Sequence, residues 1–300
     1  MKKLFLCVGA AKTGTTWLYN AIRRNPDIWF TPEKELHHHF SAHGRFDRLT
    51  QEIRDQKLAR ALEWAEGPGR EALRRDERVA WYRRFAAGPV SDEWYRGLFA
   101  EAPEGAWAAD FSPSTSLLPD AGWTALAGFA PEIRIVYILR EPLSRLWSHA
   151  KFHASFTGRF DEFRRMDRKE MRRFIDRYNL TEDGDYGSHL SRIYAHFPRE
   201  HVLLIDYERI AREPEAVLRE VEAHIGARKT PFGKDKLGER INVSESLKAP
   251  WGFGASYRGQ FAREAGLLVD LGVEFARPWA ERHAAGATSL RARIERALGY

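Results

Sequence analysis

Apolar positions in this chain gather into short unbroken runs, separated by long charged stretches in which apolar residues recur every three or four positions. Leu4-Phe5-Leu6-Cys7-Val8, Ile135-Val136-Tyr137-Ile138-Leu139 and Val202-Leu203-Leu204-Ile205 are short and rich in β-branched, aliphatic and aromatic residues. They predict fully buried strands over 3–8, 134–139 and 202–206. Helical patterns between such runs predict an α/β fold in which helices flank a central parallel sheet. Sheets of this kind bind ligands beyond the carboxyl ends of their strands, so chemistry is expected just after Val8 and Leu139. Nothing repeats and no Pro/Gly/Ser-rich linker marks a boundary, so residues 1–300 read as one domain. Residues 45–105 have helical periodicity and abundant Arg, Glu and Trp. They read either as an insertion that shapes a substrate cleft or as a solvated helical lobe.

The first run leads into Gly9-Ala10-Ala11-Lys12-Thr13-Gly14-Thr15-Thr16 and then Trp17-Leu18-Tyr19-Asn20-Ala21-Ile22, which reads as strand, loop and helix. Glycines permit a tight turn that brings backbone N–H groups up to an anion, and the helix adds its unpaired N–H groups and positive dipole end. A nucleotide-triphosphatase loop, G-x-x-x-x-G-K-[ST], carries its lysine after the second glycine. Here Lys12 precedes Gly14, and Thr15 takes the lysine's place. A P-loop kinase or NTPase, with Asp206 as a candidate acidic metal holder, is the alternative that this order argues against. A nucleotide-holding protein that lacks a catalytic base is the other.

Lys-x-Gly-Thr-Thr-x opening a helix after a buried strand resembles the 5′-phosphosulfate loop of sulfotransferases that use 3′-phosphoadenosine 5′-phosphosulfate (PAPS). The resemblance implies a P-loop-like three-layer α/β fold, with Ala11, Lys12, Thr13, Gly14, Thr15, Thr16 and Trp17 binding the donor. It also demands a 3′-phosphate site. Arg140 closes the second predicted strand and Ser148 follows eight residues later, matching the family's Arg-x₇-Ser pattern. A guanidinium suits that task because its planar fork bonds two phosphate oxygens. Pro142 predicts a helix start, which sets Ser148 about two turns along that helix.

Pro32-Glu33-Lys34-Glu35-Leu36-His37-His38-His39-Phe40 is similar to the Lys-Glu-x-x-Phe-Phe segment of carbohydrate-type members, with His38 and His39 where two aromatics are usual. The resemblance implies that Glu35 is the general base and Lys34 its basic neighbour. An imidazole among His37, His38 and His39 is the other candidate, since histidine's ordinary pKa suits proton removal. Lys12, Glu35 and His37 form the expected catalytic set. No metal is expected: side chains of adjacent histidines diverge, and no Cys or His-x-x-x-His spacing accompanies them.

Weaker likenesses continue downstream. Glu93-Trp94-Tyr95-Arg96-Gly97-Leu98-Phe99 and Ala109-Asp110-Phe111-Ser112-Pro113-Ser114-Thr115 resemble the family's next helix and its Glu-x-[Thr/Ser]-Pro-x-Tyr loop, with Asp110 for the glutamate and Thr115 for the tyrosine. Gly184-Asp185-Tyr186 leads into a helical pattern and the third strand, similar to the family's Gly-x-Tyr helix; Tyr186, His189 and Tyr194 read equally as packing residues or ligands. Arg240 to Lys248 stands where a late donor loop belongs and matches it poorly.

The net charge of +6 suits anionic ligands. Arginines at spacings of three to five across Asp161 to Tyr178 predict a basic helix, and interleaved acidic residues make it a salt-bridged face before anything else. Aromatic residues do not alternate with those arginines as a base-stacking platform requires, so specific nucleic-acid binding is not expected. One cysteine, Cys7, rules out an intramolecular disulfide and suits a reducing compartment. Met1-Lys2-Lys3 before an apolar run mimics a short signal peptide, but cleavage near Ala10 would destroy strand and loop, so a soluble bacterial cytoplasmic enzyme is expected. The resemblance implies metal-independent, in-line transfer of a sulfuryl group from PAPS to an acceptor hydroxyl or amine, a carbohydrate or other small hydroxylated compound, leaving 3′,5′-adenosine diphosphate (3′,5′-ADP).

Overall fold

The computed structural model describes residues 1–67, 72–231 and 247–288. Strands β1 (Lys3–Gly9), β2 (Ile28–Phe30), β3 (Trp107–Asp110), β4 (Glu132–Leu139) and β5 (Val202–Asp206) form one parallel five-stranded sheet in the order β2-β3-β1-β4-β5. Side chains alternate between its faces with a period of two. Leu4, Leu6 and Val8 of β1 join Ile133, Ile135, Tyr137 and Leu139 of β4 in one core cluster. Phe5 and Cys7 join Val136 and Ile138 in the other. Helices cover both faces, which is why the runs are apolar without interruption. Burial pushes the Cys7 thiol up to about 12, so Cys7 packs as an apolar residue.

The strands expected around residues 3–8, 134–139 and 202–206 are present, and two more are added. β2 has three residues and β3 reads Trp-Ala-Ala-Asp. Neither carries a strand signal of its own. Pairing makes them strands, through Leu4↔Ala108, Phe5↔Ala109 and Leu6↔Asp110, and through Ile28↔Trp107 on the far side.

Between β1 and β3 run α1 (Thr15–Ile22), α2 (His38–His43), α3 (Gln51–Glu66), α4 (Ala72–Ala86) and α5 (Asp92–Gly97); α6 (Asp120–Ala127) precedes β4. The stretch 45–105 is helical as expected, and it is tied to the rest: Trp81, Phe85, Tyr95 and Leu98 lie in the same cluster as Leu4 and Ile135. After β4 comes α7 (Pro142–Phe156), with Pro142 in its first turn as the sequence predicts. The basic stretch that follows is not one helix. Phe160–Phe163 forms a single turn, α8, and a second helix, α9 (Arg168–Arg177), begins anew at Asp167 because Asp167 and Glu170 form a reciprocal capping box. Its arginines pair locally, Arg164 with Asp161 at 3.3 Å and Arg172 with Asp176 at 3.6 Å, as a solvated face does. Next comes α10 (Tyr186–His196), whose Tyr186 and His189 are buried, the latter with Nδ1 3.2 Å from the Tyr137 hydroxyl. Among the described residues no helix is long and apolar enough to cross a membrane.

The start of α7 is fixed from the far end of the chain. Glu141 accepts from the N–H groups of Leu143 at 3.2 Å and Ser144 at 2.8 Å, and its Oε1 lies 2.7 Å from Nε2 of buried His283 on the C-terminal helix Arg277–Thr288. Burial pushes the Glu141 carboxyl up, but the bonds from His283 and Ser144 outweigh it and hold it at about 2. A depressed carboxyl contributes stability above its unfolded pKa and loses it as pH falls through the folded one. Glu141→Ala is therefore expected to cost ~1–2 kcal/mol at neutral pH, the usual worth of a helix cap. Urea unfolding from pH 7 down to 2 checks this: the acid loss of stability should be shallower in the variant, and an identical acid limb contradicts it.

Candidate active site

β1 and β4 lie side by side and end together, so the segments that leave them share one edge of the sheet. The Ala10 N–H donates to the Ile138 carbonyl at 3.0 Å and fixes the loop to β4. Lys12 and Gly14 both have positive φ, 69° and 93°. The positive φ at Gly14 favours glycine, and a Cβ there would press on the Ile210 and Tyr207 side chains at 3.0 and 3.3 Å. Thr13 is buried and its hydroxyl donates to the Ala10 carbonyl at 2.7 Å, which holds the turn shut. Ala11 is half-buried in that turn. No side chain caps α1, so its first N–H groups stay available to an anion. Trp17, 6% exposed, packs beneath the loop among Leu18, Phe5 and Phe111.

Cations converge on this helix terminus. The Lys12 ammonium sits 4.0 Å over the Phe152 ring of α7, and Arg140 Nη1 donates to the Lys12 carbonyl at 3.3 Å. The Arg140 guanidinium lies 4.5 Å over Tyr207, and its Nε is buried with no hydrogen-bond partner among the described residues. Lys34 donates to Thr15 Oγ1 at 3.3 Å and Thr16 Oγ1 at 3.2 Å. Burial, with Arg140 and Lys34 adding to it, lowers the pKa of Lys12, and Glu35 works against them. Lys151 of α7 is lowered by burial and by Arg140. Ser148 is half-buried one turn before Phe152 on the same helix face. An orphaned guanidinium nitrogen, several cations and a bare helix N-terminus fit a ligand with more than one phosphate-like group.

Glu35 and His37 face this cluster as a pair. Glu35 Oε1 accepts from Lys34 at 3.0 Å, and Glu35 Oε2 lies 3.4 Å from His37 Nε2. Burial pushes the Glu35 carboxyl up, but the His37 hydrogen bond and the Lys34 charge hold it down at about 2. His37 Nδ1 is 2.8 Å from Ser114 Oγ, and the His37 N–H donates to Ser112 Oγ at 2.9 Å. With a carboxylate at Nε2, the neutral ring carries its proton there and accepts from the Ser114 hydroxyl at Nδ1. His37 has φ 56°, which turns the chain so that its two followers point away. His38 and His39, 2% and 4% exposed, pack against Tyr95 and Phe129, and His38 Nε2 reaches Asp92 at 2.9 Å. Of the three imidazoles that the sequence left open, His37 alone lies against Glu35.

Asp110 is a strut. It is buried, accepts from Ser112 Oγ at 2.5 Å and Tyr95 Oη at 3.2 Å, and takes the Leu36 N–H at 3.4 Å, while burial raises its pKa. Thr115 is buried in the 3₁₀ turn Pro113–Leu117. Ser114 and Phe152 had no assigned role in the sequence, where nothing local distinguishes them from another loop serine or a helical phenylalanine; Ser112 stood only as the hydroxyl position of the Asp110–Thr115 motif. Arg240 to Ser246 of the expected late donor loop lie outside the described residues.

The sulfotransferase family profile matches residues 5–231. The chain belongs to the sulfotransferase family. Its fold is also that of solved sulfotransferases. The enzyme from Alicyclobacillus acidocaldarius aligns with TM-score 0.59 and 23% identity over 91% of this chain and 96% of that one. The sulfotransferase domain of the Synechococcus PCC 7002 olefin synthase gives TM-score 0.50 and 17% identity over 77% and 76%, and that of the curacin biosynthetic pathway 0.52 and 14% over the same shares. No curated protein matches the sequence closely enough to count as a relative. Sulfuryl transfer is thus the chemistry of this sulfotransferase.

Because the His37 hydrogen bond opposes the effect of burial, His37→Ala should move the Glu35 carboxyl titration upward from about 2 toward the ordinary carboxylate range. Carbonyl-carbon NMR titration of selectively labelled protein reads this directly. An unmoved midpoint contradicts the pairing.

Proposed function

We propose that this sulfotransferase uses PAPS as donor and moves its sulfuryl group to an acceptor hydroxyl or amine, releasing 3′,5′-ADP without a metal ion. The observation that carries this reading is the convergence of Lys12, Lys34 and Arg140 on the uncapped N-terminus of α1. In-line displacement forms a bond from the acceptor oxygen or nitrogen to sulfur while the bond from sulfur to the bridging phosphate oxygen breaks. Charge grows on that bridging oxygen, and Lys12 is the group to meet it. Thr15, Thr16 and the loop N–H groups from Ala11 to Gly14 hold the 5′-phosphate, and Trp17 supports them from below. Arg140 and Ser148 take the 3′-phosphate, for which the unpartnered Nε of Arg140 is a donor in waiting.

Glu35 accepts the acceptor's proton, and His37 keeps the carboxylate oriented. That both turn toward the loop favours an enzyme over a nucleotide-holding protein without a base. Lys57 and the Tyr82 hydroxyl both reach Glu33, at 3.0 and 3.1 Å, so α3 and α4 brace the segment that carries the base. In this reading the stretch 45–105 forms one wall of the acceptor cleft. The acceptor is a small hydroxylated compound, a carbohydrate among the candidates, and the lone buried Cys7 suits a cytoplasmic setting.

Calorimetry in Mg²⁺-free buffer tests the donor assignment. 3′,5′-ADP should bind more tightly than 5′-AMP, and Arg140→Ala should remove about 2–5 kcal/mol of that preference. Equal affinities for the two nucleotides contradict it. Separately, Lys12→Ala should lower turnover on the order of a hundredfold while nucleotide still binds, since its service is to charge that develops in the transition state. Glu35→Gln, which cannot take a proton, should lower it by roughly 10²–10⁴. A near-normal Glu35→Gln enzyme beside an inactive, folded His37→Ala enzyme moves the base to the imidazole.

A further inference from the structure

The position of Lys34 is not explained by a role as mere neighbour to the base. Its ammonium donates to Thr15 Oγ1, Thr16 Oγ1 and Glu35 Oε1 at 3.3, 3.2 and 3.0 Å. Thr15 and Thr16 are the first residues of α1, so the cation stands at the positive pole of a helix, an unfavourable place for it. Lys12 and Arg140 crowd the same space, and among the groups acting on Lys12 it is Glu35 that supplies the opposing negative charge. A cation at a helix N-terminus makes sense as half of an anion site, with Glu35 standing in for the anion.

We propose that Lys34 is a donor-contacting residue, that Glu35 is its counter-ion before the donor binds, and that the donor's 5′-phosphosulfate takes Glu35's place on it. This inference rests on the donor assignment made above. No covalent bond changes in the exchange; one ion pair replaces another. The charged and titratable groups around Glu35 are Lys34 and His37 on its own segment and Lys12 on the loop, with buried Asp110 and the neutral Cys7 thiol beneath. Of these, Lys34 is the one that also touches the helix terminus where a phosphosulfate belongs. His37 is tied back by Ser114 and Ser112 and stays with the carboxylate throughout.

The consequence is an order of events. With both Lys34 and His37 on it, Glu35 is held at about 2 and is too weak a base to take a hydroxyl proton efficiently. Drawing Lys34 onto the donor removes one of the two partners that hold the Glu35 carboxyl down, while the His37 bond remains, so donor binding shifts Glu35 toward greater basicity.

Calorimetric titration of the full chain with 3′,5′-ADP and with adenosine 3′-phosphate, which lacks the 5′-phosphate, tests the exchange in the wild type, Lys34→Met, Glu35→Gln and the double variant. Lys34→Met should weaken 3′,5′-ADP at least about tenfold and leave adenosine 3′-phosphate unchanged. Glu35→Gln should tighten 3′,5′-ADP about three- to fivefold, the size of one partly exposed ion pair, because no carboxylate has to be displaced. In the Lys34→Met background the same change should no longer tighten it. Unchanged or weaker 3′,5′-ADP binding in Glu35→Gln overturns the exchange, and so does equal tightening with and without Lys34. Glu35→Gln preserves size and shape, so the result stands even where Lys34→Met fails to fold. A wild type that binds neither nucleotide fails differently: it removes the donor assignment itself.

Discussion

Lys12, Lys34 and Arg140 repel one another, and everything else at this edge of the sheet is arranged to hold them together. Two unit charges about 6 Å apart cost ~3 kcal/mol at an effective dielectric of 20. Burying one or two aliphatic side chains offsets that, at roughly 1.5–3 kcal/mol each. β1 and β4 bury far more, with Leu4 to Val8 and Ile135 to Leu139 almost wholly inaccessible. The sheet can therefore carry an electrostatically unfavourable rim, and a bound polyanion turns the same repulsion into affinity. Arg140 shows the coupling in one contact: its guanidinium donates to the backbone of the loop that bears Lys12, so the groups proposed for the two ends of the donor are positioned by the same pair of strands.

Glu35, the proposed base, is held from the other side. Asp110, at the end of β3, gathers Ser112, Tyr95 and the Leu36 N–H, and so fixes the backbone between Glu35 and His37. His38 and His39 anchor the next turn in an aromatic cage formed by α5 and Phe129. Lys57 and Tyr82 clamp Glu33 from α3 and α4. A carboxylate supported on both flanks loses little freedom when a ligand arrives, which is the value of a preorganised site. Most of these supports come from α3, α4, α5 and the end of β3, so the stretch between β2 and β3 is what steadies the Glu35 segment.

What the sequence disclosed follows from how local each feature is. β1, β4 and β5 announce themselves because a strand buried on both faces must be apolar throughout. β2 and β3 do not, since a short Ile-Trp-Phe and a Trp-Ala-Ala-Asp become strands through pairing alone. The loop was legible because glycine spacing and the place of one lysine define an anion cradle within a few residues, and Arg140 because it closes an evident strand. Why His37, the one histidine placed in the expected catalytic set, lies against Glu35 while His38 and His39 turn away was not legible: it turns on a positive φ at a residue that is not glycine, in a segment held by Ser112 and Asp110 from 75 and 74 positions away. Ser114 and the reach of Lys34 to α1 are likewise properties of tertiary placement. The basic stretch at 161–178 misled for a local reason, because Asp167 is as good a helix start as it is a partner for arginine.

The most direct test of the account is which group the enzyme transfers. Purified protein is incubated with ³⁵S-labelled PAPS, and in parallel with γ-³²P-ATP and Mg²⁺, against a panel of hydroxyl- and amine-bearing acceptors, and products are identified by mass spectrometry. The account predicts ³⁵S on an acceptor together with an equal amount of 3′,5′-ADP, persisting in EDTA. Phosphoryl label on an acceptor with none of the sulfur label transferred would contradict it.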